Sequence, residues 1–121
     1  SSSRDAFNLL NPKLADLPHE EFWMVLMNRA NKVIKIESIS KGGISGTVVD
    51  VRLVSKSAIE NNTSSVILAH NHPSGNLKPS QNDIENKKKI KEALKLFDIT
   101  LFDHLIIGDQ NYYSFTDEGA L

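Results

Sequence analysis

From Phe22 to Met27 every residue is apolar, a run too short for a helix and suited to a strand covered on both faces. Arg29, Ala30, Asn31 and Lys32 then make a polar turn, and "KVIKIESI" alternates loosely, with Ile34 and Ile36 on one side and Lys35 and Glu37 on the other. That pattern predicts a hairpin. The stretch "SKGGISGTVVD" carries Gly42, Gly43 and Gly46, which predicts a mobile or tightly turning connection. Asp50 stands in N-cap position before Val51, Val54, Ala58 and Ile59, whose spacing of i, i+3, i+7 and i+8 predicts an amphipathic helix ending near Asn61 and Asn62. The β-branched run "SVILA" follows as a central strand and delivers the chain to His70.

Ser80 begins a second helix with an apolar stripe of Ile84, Ile90, Ala93, Leu94 and Phe97, and with Lys87, Lys88, Lys89 and Lys91 on the wet side. Residues 99–107 and 112–115, separated by Gly108 to Asn111, read as another hairpin. Ahead of all this, Asn8 to Leu17 mixes four leucines with Pro12, and Pro18 follows, so an irregular or short helical lead-in is expected. The predicted order is β-β-α-β-α-β-β, an α/β fold with a mixed sheet and helices on its faces. Ser1, Ser2 and Ser3 read as an expression scar or linker, or as the cut edge of a longer parent, leaving residues 4–121 as one domain.

Composition narrows the function classes. With 121 residues, 40% apolar, the chain is large enough for one real core. A formal net charge of -1 argues against a general grip on nucleic acid, which needs excess Lys and Arg. Without cysteine there is no disulfide framework, Cys-based zinc ribbon or thiol nucleophile, so a bound metal must be held by His and carboxylate oxygen. No apolar run reaches the length of a membrane span and no signal-like N-terminus is present, so a cytoplasmic protein without membrane attachment is expected.

The chemistry concentrates in "AHNHPSG". In extended backbone, side chains at i and i+2 share a face, so His70 and His72 can point at one ion, and Pro73 ends the strand directly after them. Ligand sites in open α/β sheets lie beyond the carboxyl ends of strands, where this pair falls. Taken alone, the pair is better explained as two unrelated histidines in a turn. Asp83, on the first turn of the next helix, changes the weighing: His, His and Asp leave a fourth tetrahedral position for water, the catalytic arrangement of zinc. Asp83 also has a plain structural reading, because "SQND" outlines a capping box with Ser80; the two roles are compatible, since a fixed helix start fixes a ligand's direction.

Hydrolysis further needs a base and an oxyanion donor. Glu37, on the more polar face of the second strand, is the candidate base, with an exposed strand carboxylate as the alternative; Glu20, Glu21 and Glu60 lie at element ends where a solvated role suffices. Ser80 is the candidate oxyanion donor and Ser74 the second choice. His104 reads as a buried, hydrogen-bonded strand histidine, with a role behind the ligands as its alternative, and Asp103 as a group that could orient a metal-bound imidazole. His19 is expected to be exposed. Other metal motifs fail: there is no H-E-x-x-H helix, zinc nucleobase deaminases need cysteines, and the adjacent letters H-N-H do not have the spread layout of the nuclease of that name.

The stretch "HNHPSGNLKPSQND" has the form H-x-H-P-x6-S-x2-D and resembles the zinc motif of JAMM/MPN-type metallopeptidases. Its wider setting, "VILAHNHPSG", "KPSQND", "DHLIIGD" and "YYSF", resembles the RadC family, long labelled DNA repair proteins, from about Phe22 onward. The resemblance implies a deaminase-like α-β-α sandwich, zinc on His70, His72 and Asp83, the motif serine at Ser80, and an acid/base glutamate best matched by Glu37. It further implies hydrolysis of a peptide or isopeptide bond in a peptide or protein substrate. The alternative is a repair or recombination module acting by binding, with any metal structural. Many family members carry an N-terminal helix-hairpin-helix region not contained in this sequence, so DNA contact is expected only weakly or through such a region.

Overall fold

A computed structural model describes residues 3–41 and 49–121. The glycine-bearing connection at Gly42, Gly43 and Gly46 lies outside the described residues. Among the described residues, eight elements follow in the order α1 (Ser3–Leu14), β1 (Glu21–Met27), β2 (Val33–Lys41), α2 (Val51–Glu60), β3 (Ser65–Asn71), α3 (Gln81–Lys95), β4 (Thr100–Ile107) and β5 (Tyr112–Ser114).

The five strands form one sheet in the order β2-β1-β3-β4-β5. Only β3 and β4 run parallel; the other neighbours are antiparallel. α2 and α3 cover one face, where Val54, Ala58, Ile90 and Leu94 meet Phe22, Met24, Leu26, Val66 and Leu68. α1 covers the other, where Ala6, Phe7, Leu10 and Leu14 meet Val25, Ile67, Ala69 and Leu105. The result is the expected α/β mixed sheet between helical layers, and the fully buried run of β3 is what a central strand covered on both sides requires.

α1 is longer and more regular than the expected lead-in, and it takes in Ser3. Ala6, Phe7, Leu10 and Leu14 recur at helical spacing and are all buried, so tertiary packing outweighs Pro12, which removes one backbone N–H donor from the helix. In α3 the buried face is Asp83, Lys87, Ile90 and Leu94. Ile84 and Phe97 are exposed instead, and Lys87 leaves the wet side: its stem is buried, with Nζ 3.3 Å from the Leu121 carbonyl and 5.7 Å from the Phe115 ring centre.

Two pairings set up the site. β1 and β3 are antiparallel with Phe22 opposite His70, so the segment entering β1 meets the segment leaving β3. Along β3 and β4 the register shifts between Val66 and Ile67: Val66 faces Leu101, Ile67 faces Asp103 and Leu68 faces His104. Phe102 is the extra residue, and it lets Leu101 and His104, three apart, serve the same face of the sheet.

Candidate metal centre

β3 ends at Asn71, and its alternation sends His70 and His72 to the α3 side. Their Nε2 atoms lie 3.0 Å apart. Asp83 reaches both from the first turn of α3, with Oδ1 3.0 Å from His70 Nε2 and Oδ2 3.1 Å from His72 Nε2. Ser80 caps that helix by a reciprocal pair of hydrogen bonds: Asp83 N–H donates to Ser80 Oγ at 3.0 Å and Ser80 N–H donates to Asp83 Oδ2 at 2.8 Å. Capping and convergence on the imidazoles are thus one geometry.

A second carboxylate comes from the opposite strand. One ligand atom each from Glu20, His70 and His72 lies within 4.8 Å of the others, a grouping that could hold a metal ion. Glu20 immediately precedes β1 and is carried there by the β1–β3 pairing. Asn71, between the two histidines, points to the other face and grips the same segment: its Oδ1 accepts from Glu21 N–H at 2.8 Å and its Nδ2 donates to the His19 carbonyl at 2.9 Å. The neighbouring Glu21 carboxylate is engaged away from the histidine pair, accepting from Trp23 Nε1 at 3.0 Å and lying 2.9 Å from His19 Nε2.

Charge follows this geometry. Burial works against the Asp83 anion, but hydrogen bonds from His70 and His72, with the Ser80 backbone, hold its pKa far below the ordinary carboxylate range. For His72, burial pulls the pKa down, while the hydrogen bond to Asp83 and one to the Asn76 carbonyl, at 2.6 Å, outweigh it and raise it. A third imidazole lies behind the pair: His104 is fully buried on β4, with Nε2 2.8 Å from His70 Nδ1. Burial drives its pKa well down and keeps the ring neutral.

The structure does not bring Glu37 to this cluster. Glu37 sits on β2 opposite Met24, and its carboxylate accepts from the Ser57 hydroxyl of α2 and lies 3.5 Å from Lys35 Nζ. The sheet puts the whole of β1 between Glu37 and the histidine strand, whereas Glu20, read from sequence as a solvated element end, is beside it. Ser74 is also elsewhere in role, accepting from Asn76 N–H at 3.3 Å in the exposed loop. Asp103 orients no imidazole of the pair. It accepts from the backbone N–H of His104 and Thr116 and from the Ser114 hydroxyl, tying β4 to the C-terminal segment. No helix among the described residues is long and apolar enough to cross a membrane.

Comparison with known proteins gives a consistent family. A family model described as a RadC-like JAB domain matches residues 1–120. A UPF0758 protein of Flavobacterium johnsoniae is 55% identical over 119 residues, covering 98% of this chain and 52% of the relative. A UPF0758 protein of Porphyromonas gingivalis is 47% identical over 122 residues, covering 100% and 54%. The UPF0758 protein YfjY of Escherichia coli is 44% identical over 121 residues, covering 100% and 76%. The chain spans about half the length of the first two relatives.

Proposed function

The chain belongs to the RadC-like JAB domain family, and from that premise we propose that it is a zinc-dependent hydrolase cleaving peptide or isopeptide bonds. The observation that carries the reading is the convergence of His70, His72 and Asp83 at 3.0 to 3.1 Å, with Glu20 alongside. Two imidazoles and a carboxylate are a donor set suited to zinc, and tetrahedral ligands at about 2.0–2.2 Å stand only slightly farther apart than these atoms do. The residues present therefore fit the ion after small outward shifts.

Zinc held by His70, His72 and Asp83 would supply Lewis acidity and a water of pKa near about 7. Glu20 takes the role that sequence alone assigned to Glu37: its carboxylate accepts the proton of the attacking water and returns it to the leaving nitrogen. Ser80 Oγ accepts from Asp83 N–H, which leaves its own hydroxyl hydrogen to donate to the carbonyl oxygen as charge develops there. Asn71 fixes the segment bearing Glu20 through hydrogen bonds to the backbone of His19 and Glu21 on either side of it.

The test is elemental analysis of purified wild type and His72→Ala, followed by hydrolysis of peptide and isopeptide substrates with and without chelator. Near-stoichiometric zinc in wild type, its loss in the variant and chelator-sensitive cleavage are expected. Metal-free wild type that fails to take up added zinc would overturn the reading. Salt-dependent DNA binding with no cleavage, weakened by charge reversal at Lys88, Lys89 and Lys91, would favour a binding module instead.

A further inference from the structure

His70 offers one ring nitrogen to Asp83 and His72, and the other to a group that is neither carboxylate nor carbonyl. Its Nδ1 lies 2.8 Å from His104 Nε2. The His104 ring has no exposed surface. It is walled by Phe22, edge-on with centroids 5.6 Å apart, and by Phe115, with centroids 5.1 Å apart. Phe22 also stacks on His70 itself, at 4.7 Å between centroids and 18° between planes. The second nitrogen of His104, Nδ1, is buried with no hydrogen-bond partner among the described residues.

Building on the zinc reading above, we propose that His104 is a positioning residue, a hydrogen-bond acceptor that fixes the tautomer and rotation of His70. A neutral imidazole carries a single N–H. For His70 to present a lone pair at Nε2, its hydrogen must sit on Nδ1, and the atom in line there is His104 Nε2. His104 must then accept, which puts its own hydrogen on Nδ1, the nitrogen left without a partner.

The opposite tautomer, with His104 donating, leaves a neutral His70 protonated at Nε2 and unable to ligate. Nδ1 of His104 is without a partner in either tautomer, so the choice between them is set at the 2.8 Å contact with His70. The partner of a ligating histidine is ordinarily a carboxylate, a carbonyl or water. A neutral ring does the same task without adding a third anion to a centre that already gathers Asp83 and Glu20.

Zinc affinity, measured by competition with a chromophoric chelator, separates this proposal from the reading beneath it. Wild type should bind, His72→Ala should not, and His104→Phe, which keeps the apolar packing, should bind about 10- to 100-fold more weakly. His104→Gln, whose amide oxygen reaches the place of Nε2, should recover to within about threefold of wild type. His104→Phe binding as tightly as wild type while His72→Ala fails would overturn the role of His104 alone. Absence of binding in wild type would overturn both. Long-range 1H–15N spectra of zinc-loaded wild type give a readout that needs no variant: hydrogens on Nδ1 of both His70 and His104 are expected, and a hydrogen on His104 Nε2 overturns the proposal.

Discussion

Ser80 and Asp83 hold each other through two hydrogen bonds, 2.8 and 3.0 Å long, each side chain bonded to the other's backbone N–H. The same Asp83 oxygen that receives the Ser80 N–H lies 3.1 Å from His72, so the start of α3 and the carboxylate arm of the centre cannot move apart. Asp83→Asn keeps a capping acceptor and removes the charge, whereas Asp83→Ala removes both. Both should lose zinc in elemental analysis. In thermal denaturation with chelator, Asp83→Ala should be the less stable of the two by about 1 kcal/mol, the ordinary worth of a cap; equal stabilities would detach the cap from the ligand.

Glu20 and Glu37 make opposite predictions. Glu20→Gln should retain zinc and lose turnover by about 10²- to 10⁴-fold, the usual contribution of a positioned acid/base group. Glu37→Gln should leave zinc and turnover unchanged and cost little stability, because its amide oxygen still accepts from the Ser57 hydroxyl. Steady-state rates with metal analysis on both variants check this, and a fully active Glu20→Gln would remove that residue from the reaction.

Asn71 hydrogen-bonds to none of His70, His72 and Asp83 through its side chain, yet it clamps His19 and Glu21 on either side of Glu20. Asn71→Ala should therefore keep the ion while lowering kcat, with KM for a small substrate little changed. A variant that loses zinc and activity together would mean that Asn71 serves the strand end as a whole.

Protonation and metal pull in opposite directions. In the metal-free protein the His72 pKa is raised above its ordinary 6.5, so the stability it contributes is complete below about pH 6.5 and fades as pH rises through the raised folded value. Asp83 is shifted down from 3.8; its contribution is present above that value and is lost as pH falls. Zinc needs the deprotonated imidazole, so its stabilisation grows with pH. Melting with chelator, referenced to His72→Gln, should show wild type losing its advantage as pH rises above about 6.5, while the gain in Tm on adding zinc increases. A chelated advantage that stays flat over that range would remove His72 from the linkage.

Much of this was legible in the chain. The apolar run of β1, the cap at Asp50, the buried strand before His70 and the spacing from His72 to Asp83 are local patterns, and local physics suffices to read them. α1 was underread because Pro12 is visible in sequence while the sheet face that buries Phe7 and Leu10 is not. Choosing among glutamates required knowing that β3 pairs with β1 and that β2 lies beyond it, a fact held by strand order and not by residue type. His104 was legible as a buried, hydrogen-bonded strand histidine, but its partner was not, because 34 positions separate it from His70 and the extra residue at Phe102 breaks the period-two rule that assigns a strand residue to a face.

The antiparallel seam between β1 and β3 leaves two adjacent glutamates with opposite fates. A slip of one position would turn Trp23 from α1 toward α2 and α3 and hand the place beside the imidazoles to Glu21. The bulk of Trp23 and the grip of Asn71 on the backbone make that slip expensive, so which glutamate stands beside the imidazoles is guarded by packing some distance from it, and substitutions in those guards can rearrange the centre without altering any group that reaches it.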